Sequence, residues 1–168
     1  MTTLYLVRHG ETVDNKARIM QGQTPGELNE VGIEQANDLS RRMASEPIDA
    51  FVSSDLYRSI QTCEIIARPH DLQVTTTPLL RERDWGSFTG RFIPDLKDEK
   101  WTDDIESLEK MLSRARNFLT WIKITYPNQT VLAVGHGIIN KAIQSVYFSK
   151  PMNELHPMSN AEVRILML

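Results

Sequence analysis

The chain has 168 residues, 40% of them hydrophobic, which suffices for one substantial core and little more, so residues 1–168 read as a single domain. A formal charge of -3, with the signs mixed along the chain, gives no broad basic surface and argues against nucleic acid as a partner. One cysteine, Cys63, makes neither an internal disulfide nor a thiolate metal site, and four apolar residues before Arg8 are too few for a signal peptide or membrane span, so a soluble cytoplasmic protein with no membrane partner is expected.

Leu4-Tyr5-Leu6-Val7 is a short apolar run ending in a charged, glycine-containing segment, the pattern of a strand buried on both faces. Val31 to Met43 then carries apolar residues at three- and four-residue spacing and predicts a helix. Ala50-Phe51-Val52 repeats the strand pattern and ends at Ser53-Ser54-Asp55; Leu56 to Ala67 predicts a second helix. A weaker strand is expected near Gln73 to Thr76. Asp95 to Glu106, rich in charge and containing Trp101, reads as a surface excursion, and Leu108 to Ile124 as a third helix. Val131 to Val134 is the strongest strand and ends at Gly135-His136-Gly137; alternation of Val163, Ile165 and Met167 places a last strand within Glu162 to Leu168. Strands and helices alternate, which implies an α/β sandwich with a largely parallel sheet and a ligand site beyond the carboxyl ends of the central strands.

Three polar segments fall at that edge. Arg8-His9-Gly10-Glu11-Thr12, with Asn15 and Gln21-Gly22 further on, suits phosphate chemistry. A neutral imidazole attacks phosphorus through one nitrogen when its other N–H is held, which fits His9. Arg8 offers a permanently charged fork, Gly10 close backbone approach and Asn15 a further donor. In Ser53-Ser54-Asp55-Leu56-Tyr57-Arg58, Ser54 or Asp55 is expected to cap the helix, with Arg58 in its first turn reaching the phosphate. In Gly135-His136-Gly137 the small neighbours leave room for an oxyanion that His136 would stabilise. A fourth segment, Leu80-Arg81-Glu82-Arg83-Asp84-Trp85-Gly86, sets Glu82 among basic neighbours, where it could protonate a leaving oxygen and later deprotonate water.

Read in order, these four segments resemble the histidine phosphatase superfamily, the phosphoglycerate-mutase-like enzymes, from Leu4 to Gly137. The resemblance implies a three-layer α/β/α sandwich with a mostly parallel mixed sheet whose edge strand is the C-terminal segment. It further implies a phosphorylated His9, a phosphate held by Arg8, Arg58 and His136, and proton transfer by Glu82. Asn15, Gln21, Gly22 and Gly137 fall among its phosphate- and substrate-contacting positions, and Leu28, Gly32 and Ala36 match its loop-to-helix pattern. Pro25 and Glu27 depart from the aspartate and proline often found there. The segment between Gly86 and Ser107 is shorter than in the mutases, and Arg91, Lys97 and Lys100 stand among acidic residues rather than forming a basic cover.

The expected activity is therefore metal-independent hydrolysis of a small phosphorylated metabolite, a phosphomonoester, through phosphohistidine on His9. Alternatives are a phosphoglycerate mutase, a phosphohistidine protein phosphatase, whose compact members lack the glutamate, and an inactive phosphate-binding module. No metal or other cofactor is called for, since two arginines supply the positive charge a cation would bring. His70 and His156 are expected to face solvent, Cys63 to be a buried small side chain, and Trp85, Phe88, Phe92 and Trp101 to pack or to wall the leaving-group pocket. A homodimer is possible, since an apolar C-terminal strand suits either a sheet edge or a dimer contact.

Overall fold

In the computed structural model, which describes residues 1–168, five strands form one mixed sheet. They are β1 (Thr3–Arg8), β2 (Ala50–Ser53), β3 (Val74–Thr76), β4 (Thr130–Gly135) and β5 (Val163–Met167), in the order β3-β2-β4-β1-β5. The first four run parallel, and β5 closes one edge antiparallel to β1. The helices are α1 (Val13–Ala17), α2 (Glu30–Met43), α3 (Tyr57–Ala67), α4 (Leu108–Thr125) and α5 (Gly137–Phe148).

Alternation along the central strands feeds two cores, because successive side chains point to opposite faces. Leu4, Leu6, Val52, Val131 and Ala133 pack with Met111, Phe118 and Ile122 of α4 and Ile139, Ala142 and Ile143 of α5. Val7, Phe51, Leu132 and Val134 pack with Leu39 of α2 and Cys63 and Ile66 of α3. The result is the expected three-layer α/β/α sandwich. All five strands and the helices α2, α3 and α4 lie where their patterns predict, within a residue or two at the ends. No helix is long and apolar enough to cross a membrane.

Several local readings need correction. The helix α5 was not anticipated: after β4 ends at Gly135, His136 is the N-cap and Gly137 the first residue of a 12-residue helix. Neither Ser54 nor Asp55 caps α3, whose N-cap is Leu56 with no side-chain bond, because Arg81 engages both carboxylate oxygens of Asp55 at 2.7 and 2.6 Å. His70 does not simply face solvent; its ring packs on Phe51 and its Nε2 lies 3.0 Å from Met43 O. His156 is exposed and Cys63 buried, as expected. The excursion from Asp95 to Glu106 is anchored rather than wholly solvated, with Leu96 and Ile105 buried against Trp85 and Phe88 in a small third cluster.

Candidate active site

Strand register assembles the site. Arg8 pairs with Gly135 between β1 and β4, so the next residues, His9 and His136, emerge side by side with ring centroids 5.0 Å apart. Ser53 pairs with Val134 between β2 and β4, which brings Ser54 to the same edge. The polar ends of three adjacent strands thus meet, as the parallel topology requires.

His9 is 2% exposed, and its Nδ1 lies 2.7 Å from Gly10 O. A carbonyl oxygen only accepts, so Nδ1 bears the hydrogen and the lone pair sits on Nε2. Burial foremost, then the Arg58 charge, pushes its pKa down to about 3; the Gly10 bond opposes and Arg8 adds to the shift. The ring is a neutral base near pH 7. Burial, with Arg58, His9, Arg8 and Arg114, likewise holds His136 well below the usual histidine range.

The two arginines are tied from behind by carbonyls. Arg58, in the first turn of α3 and 1% exposed, donates through Nη1 to Thr24 O at 2.6 Å and through Nη2 to Gly22 O at 2.8 Å. Burial lowers its pKa to about 10, which keeps it cationic near neutrality. Arg8 donates through Nη1 to Met158 O at 2.6 Å. Both Nε atoms are buried without a protein partner, as is His136 Nδ1. Three unsatisfied buried donors or potential donors around one histidine are costly unless a ligand completes them, and an anion does so.

The loop after β1 supplies amides. Thr12 and Asn15 form a reciprocal capping box on α1, with Asn15 Oδ1 accepting from Thr12 N at 3.1 Å and from Asn160 Nδ2 at 3.4 Å. That fixes the amide orientation and leaves its NH2 group for the cavity. Gln21 Oε1 accepts from Thr12 Oγ1 at 2.9 Å, with the same effect. Glu82 reaches the start of α5: Oε1 accepts from Ile139 N at 3.0 Å and Arg83 N at 2.9 Å, and Oε2 from Ile138 N at 3.1 Å. The glutamate therefore caps a helix whose own N-cap residue, His136, provides no side-chain bond.

A cavity of about 360 Å³ opens over these groups. Arg8, His9, Asn15, Gln21, Gly22, Arg58, Glu82 and Gly137 line it, while His136 lies buried beneath. All nine residues expected at the site are thus brought together. Ile19, Met20, Trp85, Ile93, Ile138 and Pro157 form an apolar wall, and Lys141 adds a cation. Of the four aromatic residues considered for that wall only Trp85 takes part; Phe88 is core, Phe92 lies beneath Arg18, and Trp101, 53% exposed, packs edge-on against Trp85. Lys141, Asn160 and Ser54 were missed as site residues. Apolar spacing at Ile138, Ile139, Ala142, Ile143 and Val146 was the available signal for the helix that carries Lys141.

The model of the histidine phosphatase superfamily (branch 1) matches residues 4–168. A probable phosphoglycerate mutase GpmB of Proteus mirabilis (strain HI4320) is 34% identical over 165 residues, covering 90% of this chain and 77% of that protein. Proteins of the same name from Yersinia are matched over 48% of their length. Among solved structures, YhfR of Bacillus stearothermophilus superposes with a TM-score of 0.91 at 28% identity, over 100% of this chain and 92% of that one. A mycobacterial glucosyl-3-phosphoglycerate phosphatase complexed with VO3 superposes with a TM-score of 0.90 at 25% identity, covering 98% and 92% of the two chains. With its fold, its ordered motifs and its full-length match, this chain belongs to the histidine phosphatase superfamily.

Proposed function

We propose that the protein is a metal-independent phosphatase that hydrolyses small-molecule phosphomonoesters through a phosphohistidine on His9 Nε2. The observation that carries the reading is the Nδ1 bond of His9 to Gly10 O, which leaves the Nε2 lone pair free beside two buried guanidiniums. Arg8, Arg58, Asn15 and Gln21 hold the phosphate oxygens, Gly22 and Gly137 give the backbone close approach, and His136 donates to the charge that develops on those oxygens. His9 Nε2 attacks in line, the P–O bond to the alcohol breaks, and protonated Glu82 gives its proton to the departing oxygen. The ionised carboxylate then takes a proton from water as its oxygen attacks phosphorus and the N–P bond breaks, restoring His9 and Glu82 and releasing inorganic phosphate.

Hydrolysis is preferred to transfer because none of the basic residues between Gly86 and Ser107 lines the cavity, to which that segment contributes Ile93. Arg91 pairs instead with Glu99. The name of the Proteus relative favours a second reading, phosphoglycerate mutase, for which isomerisation would outrun phosphate release. A panel of phosphorylated metabolites assayed for both products separates the two. The single buried cysteine, with no disulfide, supports a cytoplasmic setting.

His9→Ala tests the mechanism. It should abolish turnover of p-nitrophenyl phosphate and acid-labile labelling of the protein while the circular dichroism spectrum is unchanged. Retained turnover would exclude His9 as nucleophile.

A further inference from the structure

His136 is fully buried and its ring makes one hydrogen bond, Nε2 to Ser54 Oγ at 2.7 Å; its Nδ1 has no protein partner. The ring is neutral, so it carries one hydrogen, and the nitrogen that bears it decides what faces a bound phosphoryl group. With the hydrogen on Nδ1 the ring offers a donor. With it on Nε2 the ring turns a lone pair towards an anion.

Ser54 resolves the choice. Its backbone is fixed, with N–H donating to Val134 O at 3.1 Å and the carbonyl accepting from Ser53 Oγ at 2.8 Å. Leu56 N–H donates to Ser54 Oγ at 3.3 Å and occupies one lone pair. The hydroxyl hydrogen then has one acceptor within its contacts, His136 Nε2, and Ser54 is itself 0% exposed, so no water competes. A buried hydroxyl hydrogen left without an acceptor is costly. An Nε2–H ring would leave that hydrogen stranded, whereas an Nδ1–H ring satisfies every group except Nδ1–H, which is left for the ligand.

We propose that Ser54 is a positioning residue that holds His136 in the Nδ1–H tautomer, so that the ring presents a hydrogen-bond donor to the phosphoryl group transferred to His9. The inference rests on the phosphatase reading for its consequence but not for its chemistry, since the tautomer exists without substrate.

Long-range 1H–15N correlation spectra of the full chain report the tautomer directly. With four histidines in the sequence, a His136→Gln variant assigns the ring. The wild type should show His136 protonated at Nδ1, and an Nε2–H pattern would overturn the proposal. Ser54→Ala should move the ring towards Nε2–H and lower kcat on p-nitrophenyl phosphate by about 10- to 100-fold, below the full loss of an oxyanion donor, with KM little changed. Ser54→Thr, which keeps the hydroxyl, should recover the Nδ1–H pattern and most of kcat. A folded Ser54→Ala protein with Nδ1–H and full kcat would refute the assignment. Should both variants fold poorly, the wild-type spectrum alone decides. Because that spectrum needs no turnover, its outcome is distinct from that of His9→Ala, which tests the phosphatase reading.

Discussion

Two neutral imidazoles stand between two guanidiniums at the base of the cavity, and each is held through one nitrogen only. Glu82 is placed differently, since its carboxylate oxygens already accept three backbone N–H bonds. Glu82→Gln therefore disturbs two things, a proton carrier and a helix cap. The diagnostic quantity is the ratio between leaving groups. As a general acid worth about 10²–10⁴-fold, Glu82 should matter far more for an alkyl phosphate than for p-nitrophenyl phosphate, whose leaving group departs without protonation. Equal losses on both would assign its effect to the helix instead. Its place near phosphate chemistry was legible from residue type and order, as were Arg8, His9, Arg58 and His136. The contacts that tune them were not. Ser54 and His136 lie 82 positions apart, and Asn160 and Asn15 lie 145 apart, so their hydrogen bonds exist only after the sheet has aligned the strand ends.

The central strands β1, β2 and β4 were readable because burial on both faces writes an apolar run, the edge strand β5 because its apolar residues alternate, and α2 to α4 because one buried face writes a 3.6-residue period. The helix α5 escaped because its cap comes from Glu82, 56 positions before Ile138, while no Ser, Thr, Asp or Asn stands at its start. The cap of α3 was misread because Arg81 competes for Asp55, which local sequence does not reveal. The junction of α2 with the His9 loop leaves no such latitude. A Cβ on Gly32 would lie 2.0 Å from Glu11 O, and one on Gly10 would lie 2.6 Å from Gly32 O, backbone against backbone in both cases. Gly32→Ala should thus cost at least the ~1–3 kcal/mol of an overpacked site, read as a lower urea midpoint with an unchanged m-value, and should reduce turnover by shifting the His9 loop.

At the scale of the whole molecule, burying two uncharged histidines links folding to pH. His9 has a folded pKa of about 3 against an ordinary 6.5, and His136 is shifted the same way. Below pH 6.5 the unfolded chain binds protons that the folded chain refuses, so stability is fully present above that value and falls as pH drops towards 3. Each such histidine contributes a slope of up to ~1.4 kcal/mol per pH unit within the window. The unfolding temperature should decline from pH 7 to pH 5, and less steeply in His9→Ala; a flat wild-type profile would contradict the neutral, buried state of both rings. The last strand and its approach carry another consequence. Met158 O holds Arg8, Asn160 holds His9 O and Asn15, and Ala161 N–H donates to Arg8 O at 2.9 Å. In a chain synthesised from its N-terminus, the His9 loop is made long before the residues that fasten it, across a closure of about 150 residues. Loops of that separation form late in folding. Recovery of activity after denaturation is therefore expected to report complete rather than partial folding, lagging behind the return of helical circular dichroism.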